Sequence, residues 1–467
     1  MLVPYIILAA AAVAVMLVIA FYRNHRLTVL LTLAGFALTA ASIYGVSFMP
    51  PRDITPLIVV DRHALFYLGL ILTAGIAVAA LSYSYLEKHQ GHSEEFYLLL
   101  LLAALGCAIL AASTHFASFF LGIEILSVSL YAMAAYLRHS DRSIEAGVKY
   151  LILAAVSSAF ILFGMALVYA ETGSLAFGEI AYRSSAAGVH GLPLAAGLGM
   201  IIVGLGFKLA VVPFHLWTPD VYEGAPAPVT AFIATASKGA VFALVLRYFT
   251  QVDLHAHPAL FLIITIVAVL SMFAGNLLAL LQTNVKRILA YSSISHLGYL
   301  LVTVLASGPM ALTAAAVYLT AYFITTLGAF GVVAVLSRAD GDADSMEDYR
   351  GLVWTRPWLA GVFTAMLFSL AGIPLTAGFV GKFYVVAAGA GSALWLAVIV
   401  LAINSVIGLF YYLRIIVALF AHAEGAPASD RKPSRSGSAV LAALTVLLIW
   451  LGVYPGPMID IISTIIL

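Results

Sequence analysis

Six basic residues and one carboxylate lie deep inside long apolar runs, and these are the places where chemistry is expected. The cations are Lys149, Lys208, Lys238, Arg247, Lys382 and Arg414; the carboxylate is Glu124, with Glu145 near the entrance of a run. An ionisable side chain at mid-bilayer costs about 2.5–3.5 kcal/mol on insertion scales, so such residues usually line a polar interior or an ion path. Lysine suits that work. Burial in a poor dielectric favours its neutral form, and a nearby carboxylate favours the charged one. A buried lysine therefore switches state when its acidic partner moves or takes up a proton. By counting, Glu124, Lys208 and Lys238 fall near mid-run. With Lys382, and bridged by water, they are expected to form a proton relay. His296 lies mid-run in Ser292-Ser293-Ile294-Ser295-His296-Leu297-Gly298-Tyr299, among hydroxyls suited to a water wire. Imidazole titrates near neutrality, which suits proton hopping; the alternative is a hydrogen-bonded packing histidine. His215, near the end of a run, reads more simply as structural. Lys149, Arg247 and Arg414 lie closer to run ends and read as anchors whose heads snorkel outward.

These residues need membrane helices to hold them. Of 467 residues, 63% are hydrophobic and 9% charged, with a mean hydropathy of +1.09. Soluble proteins carry about 25% charge. So little charge cannot cover a water-facing surface, which excludes a soluble enzyme, a nucleic-acid binder and a disordered chain. Lys and Arg number 22 against 21 Asp and Glu, leaving no basic face for a polyphosphate partner. At about 20 apolar residues per crossing, the chain reads as an all-α membrane protein of about fourteen spans. They run roughly over 4–22, 27–48, 64–86, 96–113, 116–137, 144–170, 194–216, 228–250, 258–282, 288–306, 311–336, 357–387, 392–420 and 438–464. The first run lacks the basic segment of a signal peptide and is expected to be retained. With the N-terminus outside, the inner loops hold 13 basic residues, among them Lys88, Lys286, Arg287, Arg431 and Lys432, and the outer loops hold 3. That asymmetry fits the positive-inside rule and puts both termini outside. The longest hydrophilic stretches, 338–356 and 421–437, then lie inside.

Two spans carry breaks. Span 7 reads Gly204-Leu205-Gly206-Phe207-Lys208 and then Pro213; span 12 reads Ala371-Gly372-Ile373-Pro374 and then Gly378, Gly381 and Lys382. Proline removes a backbone donor and clashes with the preceding turn, so both helices should break there. In lipid, freed carbonyls are tolerated only beside protein or a wet cavity. Interrupted spans five apart in order suggest two inverted five-helix repeats, spans 4–8 and 9–13. The implied divisions are 1–95, 96–250, 258–420 and 438–467. The two lysines are not positional copies, since Lys208 precedes its proline and Lys382 follows its own. Gly197, Gly199, Gly204 and Gly206 read as close-packing positions.

Other chemistry finds little support. Cys107 is the one cysteine and sits in an apolar run, so no internal disulfide and no cysteine-based zinc, iron–sulfur or haem site is expected. No complete GxGxxG or GxxxxGK[ST] appears. Asp340-Gly341-Asp342-Ala343-Asp344 begins like a calcium loop, but Ser345 stands where glycine is needed and Gly351 where the bidentate glutamate should be.

The stretch GFKLAVVPFHLWTPDVYEGAPAPVTAFIATASKGA (206–240) resembles the N-subunit family of bacterial complex I, the proton-pumping NADH–quinone oxidoreductase. So do NVKRILAYSSISHLGYLL (284–301), MEDYRGL (346–352) and LAGIPLTAGFVGKFYVV (370–386). The similarity runs over spans 4–13; the outer spans match only in hydrophobic character. The resemblance implies fourteen helices with two inverted repeats, each giving half a channel. It implies a span-5 glutamate paired with a span-7 lysine, a span-8 lysine joining the halves and a span-12 lysine ending the route. Those positions match Glu124, Lys208, Lys238 and Lys382. It implies no cofactor in this chain: FMN, iron–sulfur clusters and quinone would belong to partner subunits. The partners implied are other membrane-arm subunits, including sister antiporter-like subunits, within a bacterial inner membrane, with protons and water as cargo. Mrp-type cation antiporter subunits and membrane-bound hydrogenase subunits share the lysines and breaks, and form the alternative.

Overall fold

A computed structural model describes residues 1–49, 52–89, 91–185, 191–252, 254–421 and 434–466. The expected inner cations Arg431 and Lys432, and most of the 421–437 stretch, lie outside the described residues. In chain order the helices are α1 Val3–Phe21, α2 His25–Ser47, α3 Arg62–Leu86, α4 Glu94–Ala112, α5 Phe116–Ala134, α6 Asp141–Thr172, α7 Phe177–Ser185, α8 Leu192–Leu209 and α9 Trp217–Gly224. There follow α10 Ala227–Phe249, α11 Pro258–Leu280, α12 Val285–Ala306, α13 Gly308–Leu336, α14 Pro357–Ala371, α15 Ala377–Gly391, α16 Trp395–Phe420, α17 Arg435–Val453 and α18 Gly456–Ile466. A small antiparallel hairpin, β1 Arg52–Thr55 and β2 Ile58–Val60, joins α2 to α3.

Local sequence explains where the helices start. Pro4, Pro193, Pro258, Pro309 and Pro357 occupy first turns, where a missing N–H costs nothing. Asn24, Asp61, Ser140, Asn284 and Ser434 accept from first-turn N–H groups through their side chains.

Among the described residues, thirteen helices are long and apolar enough to cross a membrane. The expected twelfth span is the interrupted pair of shorter apolar helices α14 and α15, beside the thirteen long ones where about fourteen spans were expected. Two expectations about the ends change. Span 7 stops as a helix at Leu209 and resumes as α9, which runs beyond the expected end. The last apolar run is two helices, parted at Tyr454-Pro455. The hairpin and the amphipathic α7 were too short for a twenty-residue apolar ruler to register.

Burial within the chain is uneven. The membrane-spanning stretches of α10, α12 and α13 are almost wholly enclosed by protein, while α1, α2, α11 and α17 leave most of theirs uncovered. The three central helices hold the polar residues Lys238, Ser292, Ser293, Ser295, His296, Thr320 and Thr325, all buried. The surrounding helices hide that polar axis from lipid and present Leu, Ile, Val and Phe outward.

Both breaks occur where expected. At the first, α8 ends and Ala210 takes a left-handed conformation, φ 60°. This is uncommon for a residue with a side chain and marks an imposed turn. The backbone groups freed there are met by protein: Trp217 Nε1 donates to Phe207 O at 3.0 Å, and Ser271 Oγ accepts from Val212 N at 2.9 Å. At the second, Gly372 (φ 85°) and Leu375 (φ 68°) turn the chain between α14 and α15.

Candidate functional site

Glu124 lies on α5, half-buried, and accepts a 2.5 Å hydrogen bond from Ser158 Oγ on α6. One turn further along α5, Ser127 Oγ accepts from the buried ammonium of Lys208 at 2.7 Å. Lys208 sits in the last turn of α8, directly before the first break. Glu124 is within Coulombic range of Lys208, but no ion pair within 4.0 Å joins the two. The implied glutamate–lysine pair is therefore an arrangement of two charges, each held by its own serine, and not a direct contact.

Lys238 follows a π-helical turn, Ile233–Ser237, in α10. Such turns are frequent at functional sites because they rotate the following side chains off the regular helical track. The ammonium donates to Ser293 Oγ on α12 at 2.7 Å and lies 5.3 Å from the Tyr222 ring on α9. Tyr322 of α13 donates to the same Ser293 Oγ at 2.7 Å. Two buried donors from two helices, the Lys238 ammonium and the Tyr322 hydroxyl, thus meet at one serine of a third.

His296 is one turn beyond Ser293 on α12. Its Nδ1 is 2.6 Å from Tyr318 OH and its Nε2 3.2 Å from Tyr412 OH. Tyr412 in turn contacts Ser292 Oγ. Both ring nitrogens are engaged by phenols, so each tautomer finds a donor or an acceptor on either side. The neighbouring Tyr411 donates to Asn276 Oδ1 at 2.9 Å, and Asn276 Nδ2 donates to Tyr299 OH at 3.0 Å. The Tyr299 ring lies 5.4 Å from the Lys382 ammonium. Lys382, in α15, donates to Ala371 O at 2.8 Å and to Ser405 Oγ at 2.8 Å.

The structure thus shows two groups, Glu124 and Lys208 held by Ser158 and Ser127, and Lys238, His296 and Lys382 among serines and tyrosines; the three lysines do not touch one another. Each is held by a different serine. Among the described residues, no carboxylate forms an ion pair with Lys208, Lys238 or Lys382 within 4.0 Å. Residues that sequence reasoning passed over are Ser127, Ser158, Tyr222, Asn276, Tyr318, Tyr322, Ser405 and Tyr412. A buried amide such as Asn276 in an apolar run was a usable signal, because an amide in hydrocarbon needs partners. The tyrosines gave none, since phenols are common in apolar helices. His215 is buried with neither ring nitrogen hydrogen-bonded to protein, and the Thr218 and Tyr222 hydroxyls are likewise unpartnered.

Two of the expected anchors hold differently from the snorkelling geometry. Arg247 is buried and makes a bidentate pair with Asp61, both contacts 2.8 Å, with further bonds to Ala111 O. Arg414 donates to Leu280 O at 2.9 Å and to Gln282 O. Lys149 pairs with Glu145 and Asp220 near the surface. At the N-cap of α3, burial works to raise the Asp61 carboxyl, but the Arg247 hydrogen bonds and charge outweigh it and hold Asp61 below its ordinary range. Among the described residues, no group of three or more His, Cys, Asp or Glu could hold a metal ion. Cys107 is buried, with its Sγ 3.6 Å from Ala236 O.

Interrupted membrane helices around buried lysines define the antiporter-like class of ion-translocating membrane subunits. Residues 113–408 match the family described as NADH:quinone oxidoreductase/Mrp antiporter, transmembrane. The chain is 47% identical, over an alignment of 473 positions, to NADH-quinone oxidoreductase subunit N of Ectopseudomonas mendocina (strain ymp), covering 99% of this chain and 95% of that one. A chain of respiratory complex I from Thermus thermophilus, solved with bound aureothin, superposes with a TM-score of 0.84 at 34% identity over 98% of each chain. A chain of the Mrp complex from Dietzia sp. DQ12-45-1b shares the fold, with a TM-score of 0.87 at 20% identity over 99% of this chain and 96% of that one. The chain belongs to the NADH:quinone oxidoreductase/Mrp antiporter family and, within it, to the subunit N branch of NADH–quinone oxidoreductase.

Proposed function

We propose that the chain, a membrane-arm subunit of a proton-translocating NADH–quinone oxidoreductase, carries protons along the axis from Glu124 and Lys208 through Lys238 and His296 to Lys382. The observation that supports this most directly is the series of hydrogen bonds and ring contacts between Lys238 and Lys382. Hydrogen bonds join Lys238 and Tyr322 to Ser293, His296 to Tyr412, and Tyr411 through Asn276 to Tyr299, and ring contacts bridge Tyr322 to His296, Tyr412 to Tyr411 and Tyr299 to Lys382. Side chains that both donate and accept, with water between them, move protons by hopping.

In this reading residues 96–250 and 258–420 are inverted repeats, each supplying half of the route, and Lys238 joins them. Residues 1–95 and 438–467 flank them. The chain performs no redox step itself. FMN, iron–sulfur clusters and the quinone pocket belong to partner subunits, and sister antiporter-like subunits adjoin this one. The protein lies in a bacterial inner membrane with both termini on the outer side. The test is proton uptake into inverted membrane vesicles by assembled complex carrying Lys238→Ala. The reading requires uptake to collapse while the complex persists; parental uptake in the variant would end it.

A further inference from the structure

The acidic turn that fails as a calcium loop supplies the anion of a largely enclosed ion pair. Lys286 Nζ lies 2.6 Å from Asp342 Oδ2, with the lysine side chain wholly buried and the carboxylate nearly so. The sequence reading had counted Lys286 as an inner-loop cation; it stands instead in the first turn of α12, inside the protein. Its ammonium also donates to Glu223 O at 2.9 Å and to Ala225 O at 2.7 Å, the carbonyls that close α9. All three ammonium protons are therefore used. Asp342 Oδ1 accepts from Tyr85 OH on α3 at 2.8 Å. Beside this junction, Arg287 binds Asp220 and Glu223 of α9.

The start of α12 thus grips the end of α9. Seven residues on, the same face of α12 presents Ser293, which holds Lys238. That spacing spans about 10 Å of rigid helix. Between the two grips runs the segment from Tyr222 to Lys238, with the Tyr222 ring against the Lys238 ammonium. A cation at the C-terminus of α9 is also where the helix dipole favours one.

We propose that Lys286 and Asp342 are positioning residues for the relay: by capping α9, the pair sets the depth of α12 so that Ser293 meets Lys238. This rests on the reading of Lys238 as a relay group. Removing one partner leaves a buried charge uncompensated, and the junction must shift to hydrate it.

The test compares Asp342→Asn, Lys286→Met, their double variant and Tyr85→Phe, with Lys238→Ala in parallel. Assembled complex is counted by native gel and by NADH oxidation with a water-soluble acceptor. Quinone reduction and proton uptake are then expressed per assembled complex. Asp342→Asn and Lys286→Met should each lower turnover per complex by about threefold or more, with the double variant no worse than the worse single. Tyr85→Phe should move the same way by less, and it carries the test where the charge variants do not assemble. A merely structural role would reduce the amount of complex and leave turnover per complex at the parental value, which would overturn the proposal. So would parental turnover in every junction variant beside a failed Lys238→Ala. Parental turnover in Lys238→Ala itself would remove the relay reading and this inference with it.

Discussion

The ammonium of Lys382 reaches back across the second helix break and donates to Ala371 O, the last residue of α14, at 2.8 Å. Lys208 reaches the equivalent electrostatic place by another route, standing within the last turn of α8 before the first break. Both cations therefore sit at the negative end of an interrupted helix, where the backbone dipoles favour positive charge. The lysines are not positional copies in sequence: Lys382 binds a carbonyl freed at its break, which lipid could not solvate, while Lys208 binds Ser127.

Lys208→Ala and Lys382→Ala should each lower proton uptake and quinone reduction per assembled complex by about a hundredfold, the lower end of the range for loss of a positioned proton-transfer group. The measurement is uptake into inverted vesicles alongside native-gel quantification. Normal assembly with parental rates in either variant would take that lysine out of the mechanism.

Glu124 and Lys208 should be energetically coupled although they do not touch. Their serine partners lie on neighbouring helices, and the space between them falls in a poor dielectric, so each charge still feels the other. The double variant Glu124→Gln with Lys208→Ala should lose less than the sum of the single losses. Glu124→Asp should be milder than Glu124→Gln, because it keeps a titratable group. Ser158→Ala should cost only about 1 kcal/mol or so of local stability, the worth of one hydrogen bond. Strictly additive losses in uptake would show that the two charges act independently.

Lys238→Arg separates a relay from an electrostatic anchor. Guanidinium keeps the positive charge but cannot release a proton in a protein. A relay should fail with arginine nearly as fully as with alanine, while the complex still assembles. Lys238→His controls for bulk, being smaller and titratable, and should retain more uptake than Lys238→Arg. Parental pumping by arginine with failure of histidine would make Lys238 an anchor held by Ser293.

Asp61→Asn should loosen α1–α3 from α10 by about 3–5 kcal/mol, since it leaves the buried Arg247 guanidinium without its counter-charge. The pH dependence has a definite sign. A carboxyl held below its ordinary value in the folded protein stabilises it above the unfolded value of about 3.9, and that contribution fades as pH falls through the lower folded value. Thermal unfolding of parent and Asp61→Asn in detergent should therefore differ most at neutral pH and converge in acid. A gap that is constant from pH 7 to about pH 3 would assign the effect to packing and not to the charge.

The sequence by itself determined the number of crossings, the two breaks and the residues at stake. Hydropathy sums locally along a helix, and proline or glycine breaks a helix wherever it stands, so both properties survive without knowledge of neighbours. The same locality made Glu124, Lys208, Lys238, His296 and Lys382 legible, because a charge or imidazole in an apolar run is costly in any packing. What each of them touches was decided only by tertiary structure. Lys238 meets Ser293 from 55 positions away, and Lys208 meets Ser127 from 81. Those contacts depend on the rotation and depth of whole helices, which no short window of sequence encodes. For the same reason Lys286 passed for a surface cation until α9 and the 340–344 turn closed over it, and Arg247 passed for a snorkelling anchor until Asp61 came within 2.8 Å.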